Sequence, residues 1–402
     1  MFLVALLCFV WFPGGFGSLA KSQAPPQPQR GVEPAKDATR HRRGYFGPGR
    51  DAPEPDLQNL LGVSLGYFGP PNADDPEGGT VWLGVNLALD EANGSGGYKG
   101  LPFLLSAAWA ENAWVDGSSK LTRLAYLERV WAIFGAVDGG AAQLAGQVAS
   151  KALVTMMDPA STGESVNEAG NAWVFSCLPS DRAISAAMGK FLLDRAGSSF
   201  ILLTATDNDS RALASELKSF LANRGVLPKQ QSEFPAGTPD TAGVASQAVA
   251  SGLKVAVICA GARDSANVVR DIRRKNPSFP ILTGPAAGRR GFLYRAGAVA
   301  ENVLVPILVE DSSARAAFER KFEAANGFSP DYAAMAGYDA ASTLVAAVRK
   351  SGLNRVRIRD TVEEMSSWQG VTGVLSWGLR GRVERPVRLG VIRSGRVVPL
   401  GE

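Results

Sequence analysis

Residues 66–103 read GYFGPPNADDPEGGTVWLGVNLALDEANGSGGYKGLPF. The stretch passes from a strand end through a Gly/Pro loop into one amphipathic helix, then through a Gly-rich reversal into the next strand. Within the helix Trp82, Val85, Leu89 and Ala92 recur at helical spacing, while Asp90, Glu91 and Asn93 make the far side polar. Gly94, Gly96 and Gly97 stop it, because glycine tolerates the positive φ of a helix C-terminus. This is the opening βα unit of an α/β domain.

Outward from it the same alternation continues. Apolar runs at 60–65, 103–108, 130–136 and 153–157 alternate with polar-faced helical segments at 119–128 and 141–151. Runs buried on both sides between helices are what a parallel sheet requires. A second series follows Cys177: helix 181–196, strand 200–205, helix 210–224, a strand near 233–234, helix 241–251, strand 255–259, helix 264–275 and strand 280–283. The chain then runs through 303–309 into helices 314–326 and 332–351 and ends in a β-rich region with 374–377 and 388–392. Two such series predict two doubly wound α/β lobes.

The phrase Glu91-Ala92-Asn93, closely followed by Gly96-Gly97-Tyr98-Lys99-Gly100, resembles the type I periplasmic binding proteins of the leucine/isoleucine/valine kind. These are the soluble receptors of amino-acid ABC importers. The resemblance extends over about 60–398 and implies two open α/β lobes joined by three crossovers, with ligand in the cleft between them. The crossovers fall near 176–180, 303–309 and 370–375. The implied organisation is a signal peptide over 1–20, a disordered Pro-rich tether over 21–56, one lobe from 57–177 plus 306–372, and the other from 178–305 plus 373–402. The implied function is non-enzymatic: an exported protein that captures an amino acid or amide by lobe closure and presents it to a membrane permease. A sensor of the same fold, binding a small amide and controlling a partner protein, is the alternative.

Composition fits an exported globular protein. At 402 residues and 46% hydrophobic, the chain can bury a large core. Part of its net charge of +4 sits before residue 57, in a segment that carries Lys21, Arg30, Lys36, Arg40, Arg42, Arg43 and Arg50. No aromatic-interleaved basic patch follows, so the electrostatic footprint of a nucleic-acid binder is missing. Residues 2–12 form an apolar run of signal length, followed by Pro13, Gly14, Gly15 and a small-residue site ending at Ala20, although no Lys or Arg precedes the run. The protein is therefore expected to be periplasmic or otherwise extracytoplasmic, with the N-terminal segment a candidate membrane tether.

Several chemistries are excluded by residue count. The only histidine, His41, lies in the expected tether, so a His-based triad or His-ligated metal has no place in the folded part. Cys177 and Cys259 fall in different expected lobes and read as buried thiols. Gly62-Val63-Ser64-Leu65-Gly66 matches a nucleophile elbow, but Ser64 sits inside a strand with no histidine to activate it. No phosphate-cradling motif occurs, and neither a cofactor nor a metal is implied.

Ligands of doubly wound sheets sit beyond the carboxyl ends of strands, beside helix N-termini whose unpaired N–H groups suit a carboxylate. Two loops of the first lobe qualify: Val137-Asp138-Gly139-Gly140 and Asp158-Pro159-Ala160-Ser161-Thr162-Gly163. The resemblance implies N–H donors from Gly139 or Gly140, a carbonyl from Ala160, and hydroxyl and N–H from Thr162, with Ser161 beside it. In the second lobe it implies an acid after a Gly-Pro phrase to pair with a ligand ammonium. That phrase is Gly284-Pro285-Ala286-Ala287, and the acid is missing. Asp209 is the first substitute, with Asp264 and Asp138 as alternatives. For Asp209 and Asp264 the competing role is N-capping of the following helix. Trp114, after the second strand, is the candidate aromatic wall.

Overall fold

A computed structural model describes residues 45–401. The expected signal segment, His41 and most of the expected tether lie outside the described residues. In the first lobe the strands are β1 (Val63–Phe68), β2 (Phe103–Ala108), β3 (Ala132–Gly135), β4 (Thr155–Asp158) and β5 (Val174–Ser176). They pair in parallel, in the order β2-β1-β3-β4-β5. The helices between them are α1 (Gly79–Gly94), α2 (Ser118–Thr122), flanked on both sides by a π-helical turn, α3 (Gly139–Ala152) and α4 (Ser165–Glu168).

The second lobe adds α5 (Asp181–Arg195), β6 (Phe200–Ala205), α6 (Asn208–Ala222), β7 (Gln230–Phe234), α7 (Ala242–Ala250), β8 (Val255–Cys259), α8 (Ala262–Lys275), β9 (Ile281–Thr283), α9 (Arg290–Ala296) and β10 (Leu304–Ile307). Helices α10 (Arg315–Asn326), α11 (Tyr332–Ser351) and α12 (Arg355–Glu364) follow. The hairpin β11 (Trp368–Gly370) and β12 (Gly373–Leu375) comes next, then β13 (Arg388–Arg393) and β14 (Arg396–Pro399). The second sheet has the order β14-β13-β10-β9-β8-β6-β7. Strand β13 runs antiparallel to β10, and β14 runs antiparallel to β13, so β13 alone is reversed against the rest.

Side chains alternate between the two faces of each strand, so each sheet feeds two layers. From β1 and β3, Val63, Leu65, Tyr67 and Phe134 pack toward α1 and α11, while Ile133 of β3 and Met156 of β4 pack toward α3. In the second sheet Leu202 and Val257 meet α5 and α6, while Leu203 and Ile258 meet α7 and α8. The helices α1 and α11 cross at backbone contact. A Cβ on Gly84 would lie 2.1 Å from the Ala334 carbonyl oxygen, and one on Gly337 would lie 2.7 Å from that of Val81. Both glycines are there because no side chain fits.

The chain leaves the first sheet after Ser176, leaves the second after Ile307, and returns between Leu375 and Arg388. Strand β10 belongs wholly to the second sheet, so a lobe boundary at 305/306 cuts it and moves past Ile307. Two buried arginines hold the crossovers together. Arg382 donates to the carbonyls of Ser161, Gly163 and Leu178, and Arg385 to those of Thr372 and Cys177. Asp339 of α11 accepts from Val371 N, Thr372 N and Thr372 Oγ1.

Residues 45–56, expected to belong to the tether, pack on the first lobe. Tyr45 lies edge-on to Trp173 at 4.9 Å, and Arg50 pairs with Asp360 at 2.7 Å. Asn354 Nδ2 donates to the carbonyls of Gly49 and Ala52. These contacts fix the stretch to the first lobe from residue 45 onward. Cys177 and Cys259, the cysteines among the described residues, are buried and free, and burial pushes the Cys259 thiol up to about 12.

Candidate functional site

The carboxyl ends of both sheets face one cleft of about 540 Å³. From the first lobe it is lined by the loops after β1 (Asp75, Glu77), β2 (Trp109, Glu111), β3 (Val137, Asp138) and β4 (Ala160, Ser161, Thr162). The opposite wall carries Asp181 at the start of α5, Asp207 and Asp209 after β6, Asp264 after β8, and Pro285, Ala286 and Arg289 after β9. Tyr332, at the start of α11, closes one side.

The cleft therefore contains most of the residues singled out from sequence, but their hydrogen bonds differ from the expected ones. Asp138 caps α3 by accepting from Ala141 N at 2.8 Å, and it also receives Gly140 N. Gly139 N donates across the cleft to Asp209 Oδ2 at 2.8 Å. Both glycine N–H groups reserved for a ligand carboxylate are thus held by the protein's own acids. The Ala160 carbonyl accepts from Arg289 Nη2 at 3.2 Å. Ser161 is buried, with its hydroxyl donating to Asp158 Oδ2 at 2.6 Å, so it shapes its loop. Thr162 faces the cleft and bonds Asp181 through both side chain and carbonyl.

Capping falls elsewhere than the sequence suggested for the second-lobe acids. Asp207, not Asp209, caps α6 through Ser210 N at 2.9 Å. Helix α8 has Gly261 at its N-cap and no side-chain cap, and Asp264 Oδ2 instead accepts from Gly237 N at 2.7 Å. Its Oδ1 is buried and has no partner. Trp114 is 56% exposed and lies outside the cleft lining, beside Gly140; Trp109 is the tryptophan that lines it.

Arg289 was not foreseen. It is almost fully buried and donates to the carbonyls of Glu77, Val137 and Ala160 and to the Tyr332 hydroxyl, and it pairs with the Glu77 carboxylate at 3.4 Å. One side chain of the second lobe thus ties three first-lobe carbonyls. The only local hint is a basic pair, Arg289-Arg290, directly beyond a Gly-Pro strand end. Glu77 is its counterpart from the first lobe: Oε1 accepts from Ala262 N, the first residue of α8, at 2.8 Å.

Electrostatics follow from this crowding. Burial pushes the Asp209 carboxyl up to about 7, with Asp138, Asp181 and Asp207 adding to the shift and the Gly139 N–H opposing it. Burial likewise raises Asp181 to about 6. Glu77, Asp138 and Asp264 are raised in the same direction, burial again being the main cause. Such perturbed groups gather at functional sites. Their partners are backbone N–H groups, the Thr162 side chain for Asp181 and the Arg289 guanidinium for Glu77.

A periplasmic-binding-protein family model matches residues 65–396. No curated protein sequence matches significantly. Among solved structures, the branched-chain amino acid transporter substrate-binding protein LivJ from Streptococcus pneumoniae, in complex with isoleucine, is 19% identical. It aligns with 84% of this chain and 97% of its own at a TM-score of 0.76. An ABC transporter solute-binding protein from R. palustris, in complex with benzoate, is 17% identical over 85% of this chain and 96% of its own, at 0.77. A substrate-binding protein from Desulfitobacterium hafniense, complexed with Leu, is 22% identical over 84% and 99%, at 0.70. At these identities the likeness establishes the architecture of two α/β lobes and a cleft.

Proposed function

This chain belongs to the periplasmic binding protein family, and from that premise we propose that it is an extracytoplasmic solute-binding protein that captures a small polar ligand for ABC-type import. The ligand class read from the sequence is an amino acid or amide. The observation that carries the reading is the cleft of about 540 Å³ at the carboxyl ends of both sheets, with α3 of one lobe and α6 and α8 of the other beginning at its edge. Its volume suits a small molecule. Isoleucine, leucine and benzoate, named with the solved relatives, are small enough to fit within it.

Capture works by bringing the lobes together around ligand, and the contacts Gly139–Asp209 and Ala262–Glu77 are those a closed form makes between them. A membrane permease is the partner that reads the closed form. Asp209, Asp264 and Asp138 are the candidate counter-charges for a ligand ammonium, since Ala286 in the cleft wall supplies none. No described helix is long and apolar enough to cross a membrane.

Thermal unfolding against a panel of amino acids, amides, short peptides and sugars tests the proposal. A ligand that binds only folded protein stabilises it by about 2.7 kcal/mol at a hundredfold excess over its Kd. A raised midpoint with one class supports the reading. A flat response across the panel rejects it.

A further inference from the structure

The charge of the cleft says more about the ligand than its size does. Eight carboxylates line it against a single cationic side chain, Arg289. The Arg289 guanidinium is engaged by carbonyls, Tyr332 and Glu77, so it offers no free fork to an anion. The helix N-termini that would ordinarily receive an anion are filled as well. Gly139 N and Ala262 N point at Asp209 and Glu77, and Ala141 N at Asp138.

What the cleft does hold is unused acceptor capacity. An ionised carboxylate has about four lone-pair sites, and Asp209 and Asp264 each accept from a single backbone N–H, Gly139 and Gly237 respectively. Asp264, only 6% exposed in the cleft wall, keeps its Oδ1 buried with no partner at all. A buried acceptor left without a donor costs free energy that a ligand N–H would recover. The acids are also too dispersed to form a metal cage: among the described residues no group of three or more His, Cys, Asp or Glu is placed to hold a metal ion. The cation that suits them is extended and organic.

We infer that the ligand is a small organic cation, an amine, amidine or guanidine, held between Asp209 and Asp264 and needing no carboxylate. The inference rests on the receptor reading above and narrows its ligand class. A nitrogen cation supplies both the positive charge and the donors that the cleft lacks, and charge-assisted hydrogen bonds are the strong ones.

Calorimetric titration of the full-length protein with 1,4-diaminobutane, agmatine, leucine and benzoate tests it. The titration is repeated with Asp264→Asn and Asp209→Asn; both retain an oxygen to accept from Gly237 N or Gly139 N, and melting curves check that each folds. At least one of the two cations is expected to bind, with each variant weakening it on the order of tenfold, and leucine and benzoate are expected to be silent. Binding of leucine or benzoate with neither cation overturns the inference and leaves the receptor reading intact. A cation bound equally well by wild type and both variants also overturns it. Silence here and across the wider solute panel removes both readings together.

Discussion

Asp209 and Gly139 face each other from opposite lobes, joined by a 2.8 Å hydrogen bond from the Gly139 amide to Asp209 Oδ2. Burial, and with it the nearby Asp138, Asp181 and Asp207, pushes the carboxyl from its ordinary 3.8 up to about 7. The folded state therefore binds this proton more tightly than the unfolded chain. The stability it contributes is full below about pH 4 and lost as pH rises through about 7. Asp209→Asn, which keeps an acceptor but carries no charge, should melt like wild type at pH 4. Above pH 7 it should be the more stable protein by on the order of 1 kcal/mol, solvent screening included. Melting curves at pH 4, 6 and 8 decide the matter; a gap that ignores pH speaks against it.

Arg289→Met keeps the bulk of the side chain and removes its donors to Glu77, Val137, Ala160 and Tyr332. Glu77 is left as a half-buried carboxylate without its cation. Breaking a buried pair from one side costs about 3–5 kcal/mol, and urea denaturation should show a loss of that order. Arg289→Lys should recover only a minor part, since an ammonium cannot fork to several carbonyls. Equal stability of wild type and Arg289→Met would show that the guanidinium is not a structural tie.

Gly84→Ala should lower stability by about 1–3 kcal/mol or more, because its Cβ would sit 2.1 Å from the Ala334 oxygen. Gly94→Ala, at the end of the same helix with nothing within 4 Å, serves as the control. Replacing an open helical glycine by alanine is neutral or mildly favourable. Denaturant midpoints for the pair test whether backbone contact between α1 and α11 is what excludes a side chain.

Intrinsic fluorescence separates the two tryptophans. Trp109 lines the cleft, whereas Trp114 is exposed beyond it. Ligand should still change the emission of Trp114→Phe, and the change should shrink or vanish in Trp109→Phe. The opposite pattern would move the ligand toward the rim beside α3.

The architecture was legible in the sequence where apolar period and capping agree. Helix α11 runs from Tyr332 to Ser351 as its pattern predicts, with Asp331 capping it, and α5 begins at Asp181 behind the capping Ser180. The family model and the solved structures agree with the doubly wound two-lobe reading. Helix α12 was not read because Arg355-Val356-Arg357-Ile358-Arg359 alternates with a period of two and hides a helical face. It becomes visible only when Arg359 is buried against Asp360, Glu363 and the Ala172 carbonyl. The cleft loops were found because strand ends locate them. Arg289 and the Gly139–Asp209 bond were missed for a common reason: each joins segments far apart in sequence, and no local pattern marks a side chain that crosses between lobes.

The residues just ahead of the first strand have a mechanical consequence. Tyr45, Arg50 and Glu54 grip Trp173, Asp360 and Lys99, which belong to the amino ends of the first-lobe strands or to α12. The cleft opens at the carboxyl ends of those same strands. A load applied at Tyr45 would therefore be borne by the base of one lobe, at the end opposite the cleft walls.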